Sequence, residues 1–201
     1  MPPAGVRRAP PLWPLRRVGP RTSLSCGAPF GHDWRVRLRR KAVRVAILDP
    51  DASIFLLRYD NEEVGVHWAM PGGGIDPGEI LVQAARREVL EETGWDDINL
   101  GPPLWTWEHD FTYAGRPIRQ FEVILLAKGA RHEPRGDLTS GHAADRILSW
   151  RWWSAAELSH CEEALWPPNL GELLEKLQRE GPPRSPTRLP GTFHDEAPTA
   201  P

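Results

Sequence analysis

Pro71 to Trp95 reads PGGGIDPGEILVQAARREVLEETGW, and the fold turns on how this stretch is read. Its opening, Pro71 to Gly78, concentrates the glycines and prolines that interrupt regular structure. Ile80 to Thr93 has no glycine or proline and is rich in helix formers, so the pattern predicts a helix stopped by Gly94. That helix carries Glu88, Glu91 and Glu92. At about 100° per residue the three share an arc of ~100°, and Glu88 meets the other two at i,i+3 and i,i+4, where like charges repel. Val82, Ala85 and Val89 are expected on the adjoining stripe, against a sheet, which leaves the carboxylates at the edge of the core. Uncompensated charge there is costly or raises the pKa. A hard divalent cation resolves the conflict, because Mg²⁺ takes carboxylate oxygens and keeps positions for water and phosphate. Gly72, Gly73 and Gly74 allow close backbone approach and can add a main-chain carbonyl to the same site. Taken alone, E-x-x-E-E more often means an acidic surface helix after a glycine-rich turn.

The rest of the stretch changes that balance. Gly73, Glu79, Arg87, Glu88, Val89, Glu91, Glu92, Gly94 and Trp95 fit G-x5-E-x7-R-E-U-x-E-E-x-G-U, with U a bulky apolar residue. A chance match is on the order of one in 10⁸ per starting position. The pattern is the signature of the Nudix hydrolases, and the chain resembles that family from about Arg39 to Glu180. The resemblance implies an α/β fold, an α/β/α sandwich with a mixed β-sheet, and hydrolysis of a nucleoside diphosphate linked to another moiety with Mg²⁺ or Mn²⁺. It makes Glu88, Glu91 and Glu92 the metal ligands, joined by the Gly73 carbonyl. Arg87 would orient a glutamate through a bidentate pair, or form an ordinary i,i+4 bridge to Glu91. Glu79 would support the loop and helix. The general base would be a box glutamate or an acid on the loop ARHEPRGDLTSGHAADR, which offers Glu133, Asp137 and Asp145. Glu122, inside the strand-like QFEVILL, could face the site or solvent by alternation.

Working outward, AVRVAILDP and SIFLLRYD are β-branched, apolar runs separated by DPDA, a hairpin pattern. VGVHWAMPGGG reads as a short strand entering the glycine loop. LWTWEHDFTY and IRQFEVILLAK, joined by AGRP, read as a second hairpin, and ILSWRWWS as another strand. Ser154 before Glu157 has capping-box spacing for a short helix. Leu170, Leu173, Leu174 and Leu177 recur at helical spacing and close the domain. Among 10 tryptophans, Trp68, Trp105 and Trp107 flank the expected site, where stacking on a base competes with filling a core. Trp150, Trp152 and Trp153 read as structural. Arg116 and Arg119 on the second hairpin are candidate phosphate contacts. Tyr113 lies near a tyrosine marker of dinucleoside polyphosphate hydrolases, and the proline marker of ADP-ribose hydrolases is replaced by HDFT; neither decides the substrate.

The 201 residues suit one domain. A formal net charge of −2 argues against a broad nucleic-acid face and so against a polymer partner, while the resemblance implies a small nucleotide substrate. No apolar run reaches membrane-spanning length, so no membrane partner is expected. A homodimer is compatible with the resemblance. Cys26 and Cys161 form neither a metal spacing nor a disulfide framework, and the default setting is reducing and cytoplasmic. Residues 1–33 are rich in arginine and proline and are expected to form a disordered extension or an over-long start. Prolines at 10, 11, 14 and 20 would interrupt the helix of an organelle transit peptide. Residues 34–180 are expected to fold as the catalytic domain, and 181–201 to form a disordered, proline-rich tail.

Overall fold

The computed structural model of the protein describes residues 37–193. The expectation for residues 1–33 therefore lies outside the described residues. The chain order is β1 (Leu38–Leu48), β2 (Ile54–Asn61), β3 (Gly65–Ala69), β4 (Gly72–Gly74), α1 (Leu81–Thr93), β5 (Asn99–Tyr113) and β6 (Arg116–Lys128). It continues through α2 (Thr139–Asp145), β7 (Ile147–Trp153), α3 (Ala155–Leu158), β8 (Ala164–Trp166), α4 (Leu170–Glu180) and β9 (Thr187–Arg188).

Why β1 forms is plain from its alternation. Val43, Val45 and Ile47 pack into one apolar cluster, while Ala46 and Leu48 pack into the other. A strand buried on both faces reads as a nearly continuous apolar run. Here Arg44 is the one interruption in AVRVAIL, which makes it conspicuous. The sheet built around β1 is mixed, in the order β8-β3-β2-β1-β6-β5-β9, with β4 on β1 and β7 on β2. β1 runs parallel to β6 from Leu38↔Ile118 to Leu48↔Lys128. Helix α1 covers one face through Ala84, Ala85 and Val89, and α3 and α4 cover the other through Leu158, Leu170, Leu174 and Leu177. This is the expected sandwich of helices on a mixed sheet.

The first hairpin departs from a regular ladder. β1 and β2 pair only at Leu48↔Ile54, beside the turn, and then diverge. Into the opening comes β4, pairing Ala42↔Gly74, Val43↔Gly73 and Arg44↔Gly72. Only glycine allows this at Gly72, where φ is +141° and a Cβ would lie 2.1 Å from the Val43 carbonyl oxygen. The glycine loop is thus a short strand inside the sheet, and Gly73 is held in register beside β1.

Helix α1 begins at Leu81 with Ile80 at its N-cap and ends at Gly94 in the left-handed region (φ 71°). Its packing stripe differs from the expected one. Val82 is exposed (45%), and Ala84 is buried in its place. The stripe runs 85, 89, 92, so Glu92 lies on the apolar stripe itself and not merely at its edge.

The tail also departs from expectation. After Gly181 the chain returns to the sheet, and β9 adds a parallel edge strand at Trp105↔Thr187 and Thr106↔Arg188. Leu189 is buried, Trp107 Nε1 donates to the Pro190 carbonyl at 3.0 Å, and Asp110 N–H donates to the Thr192 carbonyl at 2.9 Å. The expected boundary at 180 therefore moves to at least 193. An apolar leucine among the prolines, and a carbonyl for a buried indole, bring this segment back. Among the described residues no helix is long and apolar enough to cross a membrane.

Candidate active site

Three glutamates of one helix sit at three depths. Glu92 is buried (4% exposed), the Glu88 side chain is 14% exposed, and that of Glu91 is 59% exposed. The helical period explains the order, since Glu88 is about 40° and Glu91 about 100° from Glu92 around the axis.

Glu92 is gripped from three sides. Tyr59 Oη donates to its Oε1 at 2.8 Å, Gly72 N–H donates to its Oε2 at 2.7 Å, and His142 Nε2–H donates to its main-chain carbonyl at 2.7 Å. Arg44 Nη1 donates in turn to Tyr59 Oη at 3.2 Å and to the Met70 carbonyl at 2.7 Å. Burial pushes the Glu92 carboxyl up to about 8, the Arg44 charge opposes this, and Glu88 reinforces it. The gap between β1 and β2 is what brings Arg44, Tyr59 and Glu92 to one point.

Glu88 lies against the glycine strand. A Cβ at Gly73 would stand 2.7 Å from both of its carboxylate oxygens, so glycine is what admits the carboxylate. Burial raises its pKa against the opposing pull of Arg87. Arg87 does more than either sequence reading expected. It holds Glu79 bidentately (Nε–Oε1 3.0 Å, Nη2–Oε2 2.9 Å), donates to Glu88 Oε1 at 2.7 Å and to Glu91 Oε2 at 3.3 Å, and reaches the Gly74 carbonyl at 2.9 Å. The helix is thereby fastened to the loop before it.

Among the described residues no three carboxylate, histidine or cysteine side chains converge closely enough to ligate one ion as they stand. The donors nevertheless suit a hard cation: two carboxyls held in a poorly solvated site, a third at the rim, and a glycine backbone in contact with one of them.

The remaining candidates separate. Asp145, at the end of α2, has its pKa raised by partial loss of solvent, against the charges of Arg40, His142 and Arg44. Its side chain is exposed, like those of the other two loop acids. Asp137 is exposed and accepts the Thr139 N–H at the start of α2. The exposed Glu133 contributes its carbonyl to Trp95 Nε1 at 3.0 Å, beyond the far end of α1. Glu122 is buried and ion-paired to Arg44 Nε at 3.1 Å, with His109 Nε2 at 3.3 Å. Burial alone would raise its pKa, but Arg44 and His109 hold it at about 2. Arg119 grips Asp110 at 2.8 and 2.9 Å, and Arg116 is exposed at the β5–β6 turn.

Trp68 and Trp105 need correction as stacking platforms. Both are buried in the cluster under α3 and α4, on the other side of the sheet from Val89, and Trp68 Nε1 donates to Glu163 at 2.7 Å. Their area is spent on the core. What sequence reading missed is Arg44, Tyr59, His142 and Arg40. Arg44 was detectable as the lone charge in an apolar strand; the others carry no local signal.

Residues 38–177 match the NUDIX domain family. The chain belongs to the NUDIX family. An RNA pyrophosphohydrolase of Caulobacter vibrioides is 41% identical over 92 residues, covering 46% of this chain and 49% of that protein. The chain thus spans about half the length of that relative. Nucleoside triphosphatase NudI of Salmonella schwarzengrund is 34% identical over 94 residues, covering 44% of this chain and 65% of that protein. The crystal structure of the MutT protein from Methanosarcina mazei Go1 superposes with a TM-score of 0.54 at 18% identity, over 72% of this chain and 96% of that one, a likeness of fold.

Proposed function

We propose that this NUDIX protein is a divalent-metal-dependent pyrophosphohydrolase that cleaves the phosphoanhydride of a nucleoside diphosphate derivative. The observation that carries this reading is the pair Glu88 and Glu92, drawn into poor solvation against the Gly72–Gly74 strand, with Glu91 beside them at the rim. Glu88, Glu92, Glu91 and the Gly73 carbonyl would hold Mg²⁺ or Mn²⁺. When bound, such an ion neutralises pyrophosphate oxygens and lowers the pKa of water. The chain's own residues do the positioning. Tyr59 and Gly72 N–H fix the Glu92 carboxylate, and Arg87 ties Glu88 to the loop through Glu79 and the Gly74 carbonyl. Asp145, exposed at the end of α2 within the field of Arg40 and Arg44, is the loop acid to which this reading gives the proton from attacking water.

The substrate is a small nucleotide in this reading, in keeping with the formal net charge of −2. A second reading, pyrophosphate removal from a 5′-triphosphate RNA end, is favoured by the similarity to the Caulobacter RNA pyrophosphohydrolase. A third, nucleotide binding without turnover, leaves the set of three glutamates without a use. Phosphate release, coupled to phosphatase, over NDP-sugars, dinucleoside polyphosphates, NAD(H), oxidised dNTPs and a 5′-triphosphate RNA oligomer separates them. Turnover of none with Mg²⁺ or Mn²⁺ sinks the hydrolase reading. Glu92→Gln is expected to keep the fold, by circular dichroism, and to lose kcat by about two orders of magnitude or more; near-normal kcat refutes the role of Glu92.

A further inference from the structure

Among the described residues, several arginines around the site are engaged by carboxylates. Arg37 pairs with Glu63 and Asp110, Arg44 with Glu122, Arg87 with Glu79, Glu88 and Glu91, and Arg119 with Asp110. Arg40 has no hydrogen bond or ion pair among the described residues. Yet it is half-buried near the start of β1, and its guanidinium lies directly on Gly74. A Cβ there would stand 2.6 Å from Nη2 and 2.8 Å from Nε. On its other side the Tyr113 ring centroid is 5.1 Å from Cζ. Burial, together with the nearby charge of Arg44, holds its pKa below the ordinary arginine value, although Glu88 and Glu122 attract it.

A guanidinium with five donors, drawn from water and given no acceptor, is a standing electrostatic deficit. Folding alone gives no reason to keep it, since methionine would fill the same space without that penalty. An anion would satisfy it. The neighbours define which anion: the cation rests on the residue next to Gly73, on which Glu88 packs, and it lies close enough to feel the Glu88 charge. Guanidinium matches the oxygens of phosphate bidentately. The three atoms nearest to a side chain at Gly74 all belong to the Arg40 guanidinium, so this glycine is what leaves room for the fork.

We propose that Arg40, lodged on Gly74 and against Tyr113, is a substrate-binding residue that receives a phosphate of the pyrophosphate group beside Glu88. This rests on the pyrophosphohydrolase reading for its substrate, but the anion site itself can be tested apart from turnover. Inorganic pyrophosphate, titrated with and without Mg²⁺ by calorimetry and thermal shift, is the probe. For Arg40→Met the ligand-free protein is expected to melt at or above the wild-type temperature, while its pyrophosphate Kd rises tenfold or more. Arg40→Lys is expected to recover part of the affinity. Gly74→Ala, which displaces the guanidinium and leaves the charge in place, is expected to weaken pyrophosphate binding similarly. With any substrate that turns over, Arg40→Met is expected to raise KM more than it lowers kcat. Pyrophosphate binding by Arg40→Met within twofold of wild type overturns the proposal, as does a wild-type protein that binds no pyrophosphate in Mg²⁺. A protein that binds pyrophosphate through Arg40 but turns over none of the nucleotides supports the anion site and overturns the hydrolase reading instead.

Discussion

At the scale of the residue, the buried glutamates Glu92 and Glu122 are each held by polar partners. Glu122 keeps its charge because Arg44 and His109 face it, and Glu92 is fixed by Tyr59 and Gly72 N–H. His67 is the contrasting case. It is buried, packs against the Trp166 ring at 4.5 Å with a tilt of 35°, and donates Nδ1–H to the Gly65 carbonyl at 3.0 Å. Burial, against that hydrogen bond and aided by Arg44 and His109, lowers its pKa from 6.5 to about 4. The unfolded chain therefore binds a proton between pH 6.5 and 4 that the folded chain does not. Its contribution is fully present above pH 6.5 and is lost as pH falls toward 4, by roughly 3 kcal/mol. Urea denaturation of wild type and His67→Phe across pH 4 to 7 is expected to show a flatter acid limb in the variant. Parallel curves would refute neutral burial of His67.

At the scale of the element, the three consecutive glycines are not interchangeable. Gly72 is committed to backbone geometry, with φ at +141° and the Val43 carbonyl at its back. Gly73 is committed to Glu88, whose flexible carboxylate supplies the three atoms nearest to an added methyl group. Gly72→Ala is thus expected to destabilise the fold by several kcal/mol, on the order expected for severe backbone conflict. Gly73→Ala is expected to stay within about 1 kcal/mol of wild type, while kcat/KM falls about tenfold or more because Glu88 is displaced. Denaturation midpoints and steady-state kinetics on the two variants check this, and reversal of the order would refute it. PGGG was legible as a place where backbone comes close. That it is a strand, and which glycine serves which purpose, depends on β1, whose register no local pattern encodes.

At the scale of the whole molecule, the sheet is covered on both faces, and its β5 edge is finished by residues well past the last helix. Leu189 joins the cluster of Trp105, Trp107 and Leu174, and main-chain bonds from Leu189 N–H to the Thr106 carbonyl and from Thr192 N–H to the Glu108 carbonyl align it. Leu189→Ala is expected to cost about 2–3 kcal/mol. Removal of residues 182–201 is expected to cost more than removal of 194–201, read as urea midpoints; equal midpoints would refute a structural role for this segment. The composition of GPPRSPTRLPGTFHD resembles a loose tail because its contribution is made by one leucine and main-chain groups, which composition does not weigh.

Sequence by itself determined the helix from the start of LVQAARREVLEET to Gly94, the clustering of its three glutamates, the two hairpins, the capping box at Ser154 and the family. Each is written in short-range periodicity, in glycine and proline placement, or in a motif with fixed spacing. Tertiary structure alone decided that Glu92 is the buried acid, that Tyr59 and Arg44 brace it, that Trp68 and Trp105 belong to the core, and that Arg40 lies on Gly74 without an ion-pair partner among the described residues. Those outcomes depend on strands far apart in sequence diverging, registering and closing on one another. Distance through space, and the loss of water that comes with it, is what sets their charge and their partners.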